Sequence, residues 1–205
     1  NFTIKPNTTV AFVGKSGSGK ATILNLISKL ADCKDGEVLL DDINVKNLSK
    51  KCLRENISMV NQFPYIFDNS IRKNLLMVKK DATEEELIKA CKDASIWEFI
   101  SSLPKGLDTK VGESGIKLSG GQKQRLAIAR SLLRKTKVIL FDESTSSLDN
   151  FAQAEIKKSI DALSKNSTVI IVAHRLSTIK NADKIYFLEN GNIKGEGTFE
   201  ELFAI

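Results

Sequence analysis

The sequence predicts an α/β fold with a mostly parallel sheet, an antiparallel β edge and an inserted helical subdomain. Three observations lead to this fold class. Short apolar runs rich in β-forming residues occur near residue 10 and in the last third of the chain, and runs without alternation are typical of parallel strands covered on both faces. A glycine-rich stretch follows the first run and precedes a helical pattern. The middle of the chain shows mainly helical periodicity.

Composition limits the class of protein. The chain has 205 residues, of which 41% are hydrophobic, enough for one domain or for one domain with an insertion. Its longest apolar runs, such as 169–173, are too short to span a bilayer, and residues 1–9 lack the apolar stretch of a signal peptide. Three scattered cysteines form no C-x-x-C pair, so we expect reduced thiols. The net charge is +6, but the lysines are spread along the chain among acids, so we expect no nucleic-acid partner.

The first predicted element is a buried strand over residues 9–13, which ends at Gly14. From Gly14 to Lys20 the chain follows the phosphate-binding pattern G-x-x-x-x-G-K, and the expected context of strand, loop and helix is present. A tight turn before a helix is the alternative. The pattern normally continues with a hydroxyl that binds Mg²⁺, and here that position is Ala21. The following helix is predicted by apolar residues at helical spacing: Ile23, Leu24, Ile27 and Leu30.

The next elements are helical, from about residue 69 to 134. The clearest stretches are 84–94 and 122–133, and Thr83 with Glu86 predicts a capping box at the first of them.

Parallel strands and a hairpin are predicted after the helices. Residues 138–141 and 168–173 are short, apolar and β-rich, as central parallel strands are. Residues 184–188 and 192–193 flank Asn190-Gly191, a strong hairpin signal that predicts the antiparallel edge.

Candidate metal-binding and catalytic side chains follow both predicted central strands. Asp142 and Glu143 come directly after 138–141, at the strand ends where open α/β sheets place ligands. Asp142 could hold Mg²⁺ through water and Glu143 could polarise an attacking water; a solvated strand end is the alternative. The only histidine, His174, follows 168–173 at the same edge, which favours a phosphate-facing role over a structural one.

Another candidate site is Leu118-Ser119-Gly120-Gly121-Gln122, which precedes a helical pattern. Ser119 is a natural N-cap, and the two glycines leave helix N–H groups open to an anion. On its own, this stretch fits a plain loop and capped helix equally well.

In order and spacing, these motifs together resemble the ATP-binding cassette (ABC) ATPases. LSGGQ resembles their signature, 139–143 their acidic strand, and Gln62 in VNQFPYIF their Q-loop glutamine. Ser147-Leu148-Asp149 resembles the D-loop, and His174 the switch histidine. The segments 62–75 and 103–115 resemble exporter-type members. The resemblance covers essentially all 205 residues.

The resemblance implies a fold and a set of site residues. The fold is a P-loop NTPase core at 1–68 and 136–205, with a helical subdomain at 69–135 that carries the signature. The implied cofactors are ATP and Mg²⁺. Catalytic roles fall on Glu143, His174 and Gln62, and metal contacts on Gln62 and Asp142. The implied nucleotide-binding residues are Gly14, Lys15, Ser16, Gly17, Ser18, Gly19, Lys20, Ala21, Thr22, Ser119, Gly120, Gly121, Gln122 and Asp149.

The resemblance also implies partners. These are the transmembrane domains of a transporter, at the cytoplasmic face of a membrane, and a second nucleotide-binding domain in a head-to-tail, ATP-bound dimer. Two alternatives are a soluble ABC ATPase of DNA repair or translation, and an ATP-sensing module in which Ala21 weakens hydrolysis.

Two features depart from the family pattern. One is Ala21. The other is the lack of an adenine-stacking aromatic residue: Phe2 is close to the loop and is expected in the core, so we expect the stacking residue upstream of Asn1.

Overall fold

The computed structural model of the protein describes residues 1–142, 150–173 and 176–203. The strands are β1 (Thr9–Gly14), β2 (Leu39–Leu40), β3 (Ile43–Asn44), β4 (Ile57–Val60), β5 (Val138–Asp142), β6 (Thr168–Val172), β7 (Lys184–Glu189) and β8 (Asn192–Gly197). The helices are α1 (Lys20–Ile27), α2 (Lys50–Asn56), α3 (Ile71–Leu76), α4 (Glu84–Asp93), α5 (Trp97–Ser102), α6 (Gly120–Arg134), α7 (Asn150–Ser164), α8 (Leu176–Ile179) and α9 (Phe199–Phe203).

Six of the strands form one sheet in the order β4-β5-β6-β1-β7-β8. β1 pairs in parallel with β6 and β7, and β5 pairs in parallel with β6. β8 pairs with β7 in antiparallel register and forms one edge. The predicted α/β class, with a mostly parallel sheet and an antiparallel edge, is confirmed. The two-residue strands β2 and β3 form a separate small hairpin that the sequence did not predict.

The central strands are buried because both of their faces are covered. All five residues of β6 are buried, as are four of the six residues of β1, which explains their lack of alternation. The core of this region combines side chains from the sheet with others from α1, α2 and the segment at Val45: Val10, Phe12, Leu24, Val45, Leu53, Ile57, Leu140, Ile170, Val172, Tyr186 and Leu188. Phe2 contacts this core, with its ring centroid 5.2 Å from those of Phe12 and Tyr186.

The hairpin between β7 and β8 turns at Asn190 and Gly191, as predicted. Both residues have positive φ, 50° and 76°, as a type I′ turn requires. Asn and Gly tolerate this conformation best, which is why the dipeptide is a reliable signal.

The helix α1 ends earlier than the apolar spacing predicts. Ile27 is its last residue, and Leu30, which the spacing assigned to the buried face, is 71% exposed. Lys29 has a left-handed φ of 56°, and the Leu30 N–H donates to the Asn25 carbonyl at 2.8 Å. A left-handed residue with such a bond ends a helix by satisfying its last carbonyls.

The chain divides into two compact units. The first comprises Asn1–Met59, Thr136–Ser144 and Asn166–Ile205, and the second comprises Val60–Lys135 and Thr145–Lys165. Within the second unit, α6 packs against α4 and α7. This unit includes α7, which the sequence-based boundaries assigned to the α/β core.

In the described ranges, no helix combines the length and the apolar character needed to cross a membrane.

Candidate nucleotide-binding site

The loop between β1 and α1 is shaped by glycines that no other residue could replace without strain. Gly14, Gly17 and Gly19 all have positive φ, at 152°, 79° and 99°. A Cβ on Gly14 would stand 2.2 Å from the Leu188 carbonyl oxygen and 2.8 Å from Ser18 Oγ. The backbone of the loop therefore lies directly against β7, and its N–H groups can converge on an anion.

Lys20 lies at the centre of this loop. Its side chain is 4% exposed, and Nζ donates to the carbonyls of Gly14 at 2.7 Å and Lys15 at 2.8 Å. Burial lowers the pKa of Lys20, and the carboxylate of Asp142 opposes that shift. A positive charge is thus held inside a ring of backbone groups at the start of a helix, a combination that suits phosphate.

The remaining predicted loop residues differ in their exposure to solvent. Ser18 is 5% exposed, and its N–H donates to the Lys15 carbonyl at 3.2 Å. Lys15, Ser16 and Gly17 are exposed at the outer side of the loop. Ala21 and Thr22 are exposed on the first turn of α1, which Gly19 precedes without a side-chain cap.

The hairpin of the antiparallel edge supports the loop from outside. The Gly191 N–H donates to the Ser18 carbonyl at 3.1 Å. Together with the close approach of Gly14 to Leu188, this bond ties both ends of the loop to the β7–β8 hairpin.

The acidic strand ends as predicted, with Asp142 as the last residue of β5. Asp142 is half-buried and pairs in register with Val172 of β6. The carboxylate thus lies at the carboxyl edge of the sheet, where α/β domains bind ligands. Glu143, Asp149 and His174 lie outside the described residues.

The signature stretch forms the predicted cap of α6. The Gln122 N–H donates to Ser119 Oγ at 3.2 Å, and the Ser119 N–H donates to Gln122 Oε1 at 2.9 Å. These two bonds make a complete capping box, like the predicted one formed by Thr83 and Glu86 at α4. Gly120 and Gly121 occupy the first turn of α6 between them.

The segment 62–67, which we name the Q segment, follows β4. Gln62 is half-buried, while Phe63, Tyr65 and Phe67 are exposed. Ile66 is fully buried beneath Gly115, where an added Cβ would come within 3.0 Å of it.

Two residues that the sequence analysis missed, Arg130 and Asn74, contact the Q segment. Arg130 donates through Nη1 to the Tyr65 carbonyl at 2.8 Å. Asn74, fully buried, accepts from the Phe67 N–H at 3.0 Å and donates to the Phe67 carbonyl at 2.9 Å. A signal was present: Arg130 follows Leu126 by four positions and so places a charge on the apolar face of α6.

A glycine loop closed around a buried lysine, between a central parallel strand and a helix, defines a phosphate-loop nucleotide-binding domain. Within that class the chain belongs to the ABC transporter family, whose family model matches residues 1–146. The predicted resemblance to exporter-type ABC ATPases is thereby confirmed, and solved and curated relatives agree with it.

The ATP-dependent lipid A-core flippase of Pasteurella multocida (strain Pm70) is 48% identical over 206 residues, covering 100% of this chain and 35% of the flippase. ABC transporter B family member 2 of Dictyostelium discoideum is 46% identical over 205 residues, covering 100% of this chain and 15% of that protein. A structure of a bacterial Atm1-family ABC exporter with ATP bound matches with a TM-score of 0.91 and 38% identity, over 99% of this chain and 36% of that one. The chain thus has the fold of the ABC ATPase domain of exporters and spans 35% of the flippase's length.

Proposed function

We propose that this domain binds ATP with Mg²⁺, hydrolyses it, and powers export through transmembrane domains. The observation that carries the proposal is the glycine loop closed around Lys20, in a chain that belongs to the ABC transporter family. Similarity to exporters along the whole chain favours this role over that of a soluble ABC ATPase. The proposed location is the cytoplasmic face of a membrane.

The loop fits the phosphates of a nucleotide. The absence of a side chain at Gly14 brings the backbone against Leu188, which leaves the loop N–H groups to line a cradle. Lys20 would turn from the carbonyls of Gly14 and Lys15 to the β- and γ-phosphates, exchanging two neutral acceptors for charged ones. The proposed binding set is residues 14–22.

Mg²⁺ would screen the charge between the β- and γ-phosphates. Asp142 offers a carboxylate at the strand end, and Gln62 an amide oxygen, which are ligand types that Mg²⁺ accepts. Ala21 offers none. We assign Glu143 to orienting the attacking water and His174 to holding the γ-phosphate.

A second copy of the domain completes the site in this proposal. Ser119, Gly120, Gly121 and Gln122 would face the partner's nucleotide in a head-to-tail dimer, and Asp149 would lie at the same interface. The capping box of Ser119 and Gln122 fixes the first turn of α6, which supports the proposal that the glycine N–H groups there would face an anion.

Steady-state ATP hydrolysis by the purified chain tests the assignment. Glu143→Gln and His174→Ala should each lower kcat by at least about tenfold, because their groups act mainly in the transition state, while the affinity for ATP stays within about twofold. Glu55→Gln, a change of an exposed acid on α2, is the matched control and should keep the parent rate.

Two results would contradict these roles. Parent-like turnover in either variant would exclude the role of that residue. A parent chain that binds ATP without hydrolysing it, at any Mg²⁺ concentration, would favour the ATP-sensing alternative, which the missing hydroxyl at Ala21 suggests.

A further inference from the structure

Arg130 makes three hydrogen bonds with one planar guanidinium group. Besides Nη1 to the Tyr65 carbonyl at 2.8 Å, Nε donates to the Asn74 carbonyl at 3.1 Å, and Nη2 donates to Asn74 Oδ1. Its guanidinium carbon also lies 5.9 Å from the centre of the Phe67 ring. A lysine has no planar fork and could not make these bonds together.

The side-chain amide of Asn74 is fully hydrogen-bonded, to Arg130, to Ser70 and to Phe67 of the Q segment. Its Oδ1 accepts from the Phe67 N–H and from Arg130, and its Nδ2 donates to the carbonyls of Phe67 at 2.9 Å and Ser70 at 3.1 Å. Because Asn74 is fully buried, breaking any of these bonds leaves a buried position of its amide unpaired, which favours a single arrangement of the amide. We name Arg130 and Asn74 together the clamp.

The chain between the clamp and Gln62 has little conformational freedom. Tyr65, whose carbonyl Arg130 holds, is separated from Gln62 only by Phe63 and Pro64. The ring of Pro64 fixes its own φ, and a residue before proline is restricted to extended conformations. On the other side of Gln62, Val60 is buried at the end of β4. A shift of the clamped backbone would therefore displace Gln62.

We propose that Arg130 and Asn74 are positioning residues that hold Gln62 where it meets Mg²⁺; this inference depends on the proposed function. In this proposal the clamp would contact neither the nucleotide nor the metal. It fixes the Q segment to α6, and it acts on the metal only through Gln62. Loosening the clamp should therefore resemble a partial loss of the Gln62 side chain.

The first measurement is binding without turnover. A non-hydrolysable ATP analogue is titrated calorimetrically into the parent, Arg130→Lys and Gln62→Ala chains, with and without Mg²⁺. Arg130→Lys should weaken the affinity measured with Mg²⁺ by about threefold to tenfold and leave the metal-free affinity within twofold. Arg134→Lys, an exposed change on the same helix, is the control and should match the parent in both titrations.

The second measurement is a double-mutant cycle, which separates positioning from general destabilisation. If the clamp acts through Gln62, adding Arg130→Lys to Gln62→Ala should change neither the Mg²⁺-dependent affinity nor kcat further. Amide exchange in residues 61–67 should rise in Arg130→Lys and not in Arg134→Lys. If Arg130→Lys does not fold, Asn74→Asp provides the same cycle: it keeps the oxygen that accepts from Arg130 and replaces the Nδ2 donor by a carboxylate oxygen that faces the carbonyls of Phe67 and Ser70.

The outcomes are distinguishable. Losses that multiply in the double variant, or an Arg130→Lys chain equal to Arg134→Lys, would overturn the positioning role and leave the proposed function intact. A Gln62→Ala chain with parent-like Mg²⁺ dependence would also overturn it. A parent chain that neither binds nor hydrolyses ATP would overturn the proposed function and this inference with it.

Discussion

Ala21 changes the candidate site at the scale of one residue. It is exposed on the first turn of α1, where the phosphate-loop pattern places a hydroxyl. Thr22 is next to it but points roughly 100° away around the helix, so it cannot substitute. Water can fill a place in the octahedral shell of Mg²⁺, but is held less firmly than a fixed hydroxyl. ATP should still bind, because Lys20 and the loop backbone are intact.

We expect Ala21→Ser to raise kcat and to lower the Mg²⁺ concentration for half-maximal hydrolysis. A tenfold change in rate corresponds to about 1.4 kcal/mol of transition-state stabilisation. The measurement is hydrolysis against Mg²⁺ concentration, and metal-free ATP affinity serves as the control. Unchanged values would show that water or another side chain already holds the metal.

Gly14 gives a second prediction at this scale. Gly14→Ala would drive a Cβ into the Leu188 carbonyl, 2.2 Å away, and backbone cannot yield as a side chain can. We expect a loss of about 3 kcal/mol or more, since overpacking adds to the strain of a positive φ. Gly36→Ala is the matched control, because Gly36 has φ 81° with open space around it. It should lose only about 1–2 kcal/mol. Urea denaturation measures both, and equal losses would refute the close contact.

The helices α4 and α6 both begin with a capping box, but only α6 has a proposed role in ATP hydrolysis. Thr83 with Glu86 and Ser119 with Gln122 both form complete capping boxes. Thr83→Ala and Ser119→Ala should therefore each cost about 1 kcal/mol of stability. Only Ser119→Ala should also lower ATP turnover, because only that cap belongs to the signature. Thermal unfolding and steady-state hydrolysis test this pair; equal turnover in both variants would remove Ser119 from the site.

The strands and turns that are marked by a short run of neighbouring residues were predictable from the sequence. β1, β5 and β6 are uninterrupted apolar runs, and Asn190-Gly191 has the φ values that its turn demands. The end of α1 was not predictable from spacing alone, because Lys29 stops the helix by its backbone conformation. β2 and β3 have only two residues each, which is too short for a periodic pattern.

In the candidate site, too, contacts between residues close in the sequence were predictable, and contacts between distant residues were not. The bonds of Lys20 reach only five and six residues back along the chain, so the motif itself contains them. The clamp was missed because Arg130 is 65 residues from Tyr65 and 56 from Asn74. No local pattern relates positions so far apart. The approach of Leu188 to Gly14 depends on strand pairing and was hidden for the same reason.

Assembly is a property of the whole molecule. The proposed dimer interface is filled mainly by nucleotide and by polar loops, so the isolated chain should be monomeric in nucleotide-free buffer. ATP together with Glu143→Gln should favour the dimer, because slow hydrolysis keeps the nucleotide in place. Light scattering at several protein concentrations measures this. A tight dimer without nucleotide would contradict the head-to-tail arrangement.

The pairing of β1 with β6 and β7 determines when the site can form during synthesis. β1 and its glycine loop leave the ribosome before the strands on both of its sides and the hairpin that supports Ser18, which come from residues 168–197. At translation rates of about 5–20 residues per second, roughly 10–35 s separate the loop from Gly191. During that interval the apolar first strand has neither of its neighbours and is a site for chaperones or aggregation. A nascent chain therefore acquires its supported phosphate loop only after residues 168–197 have been synthesised.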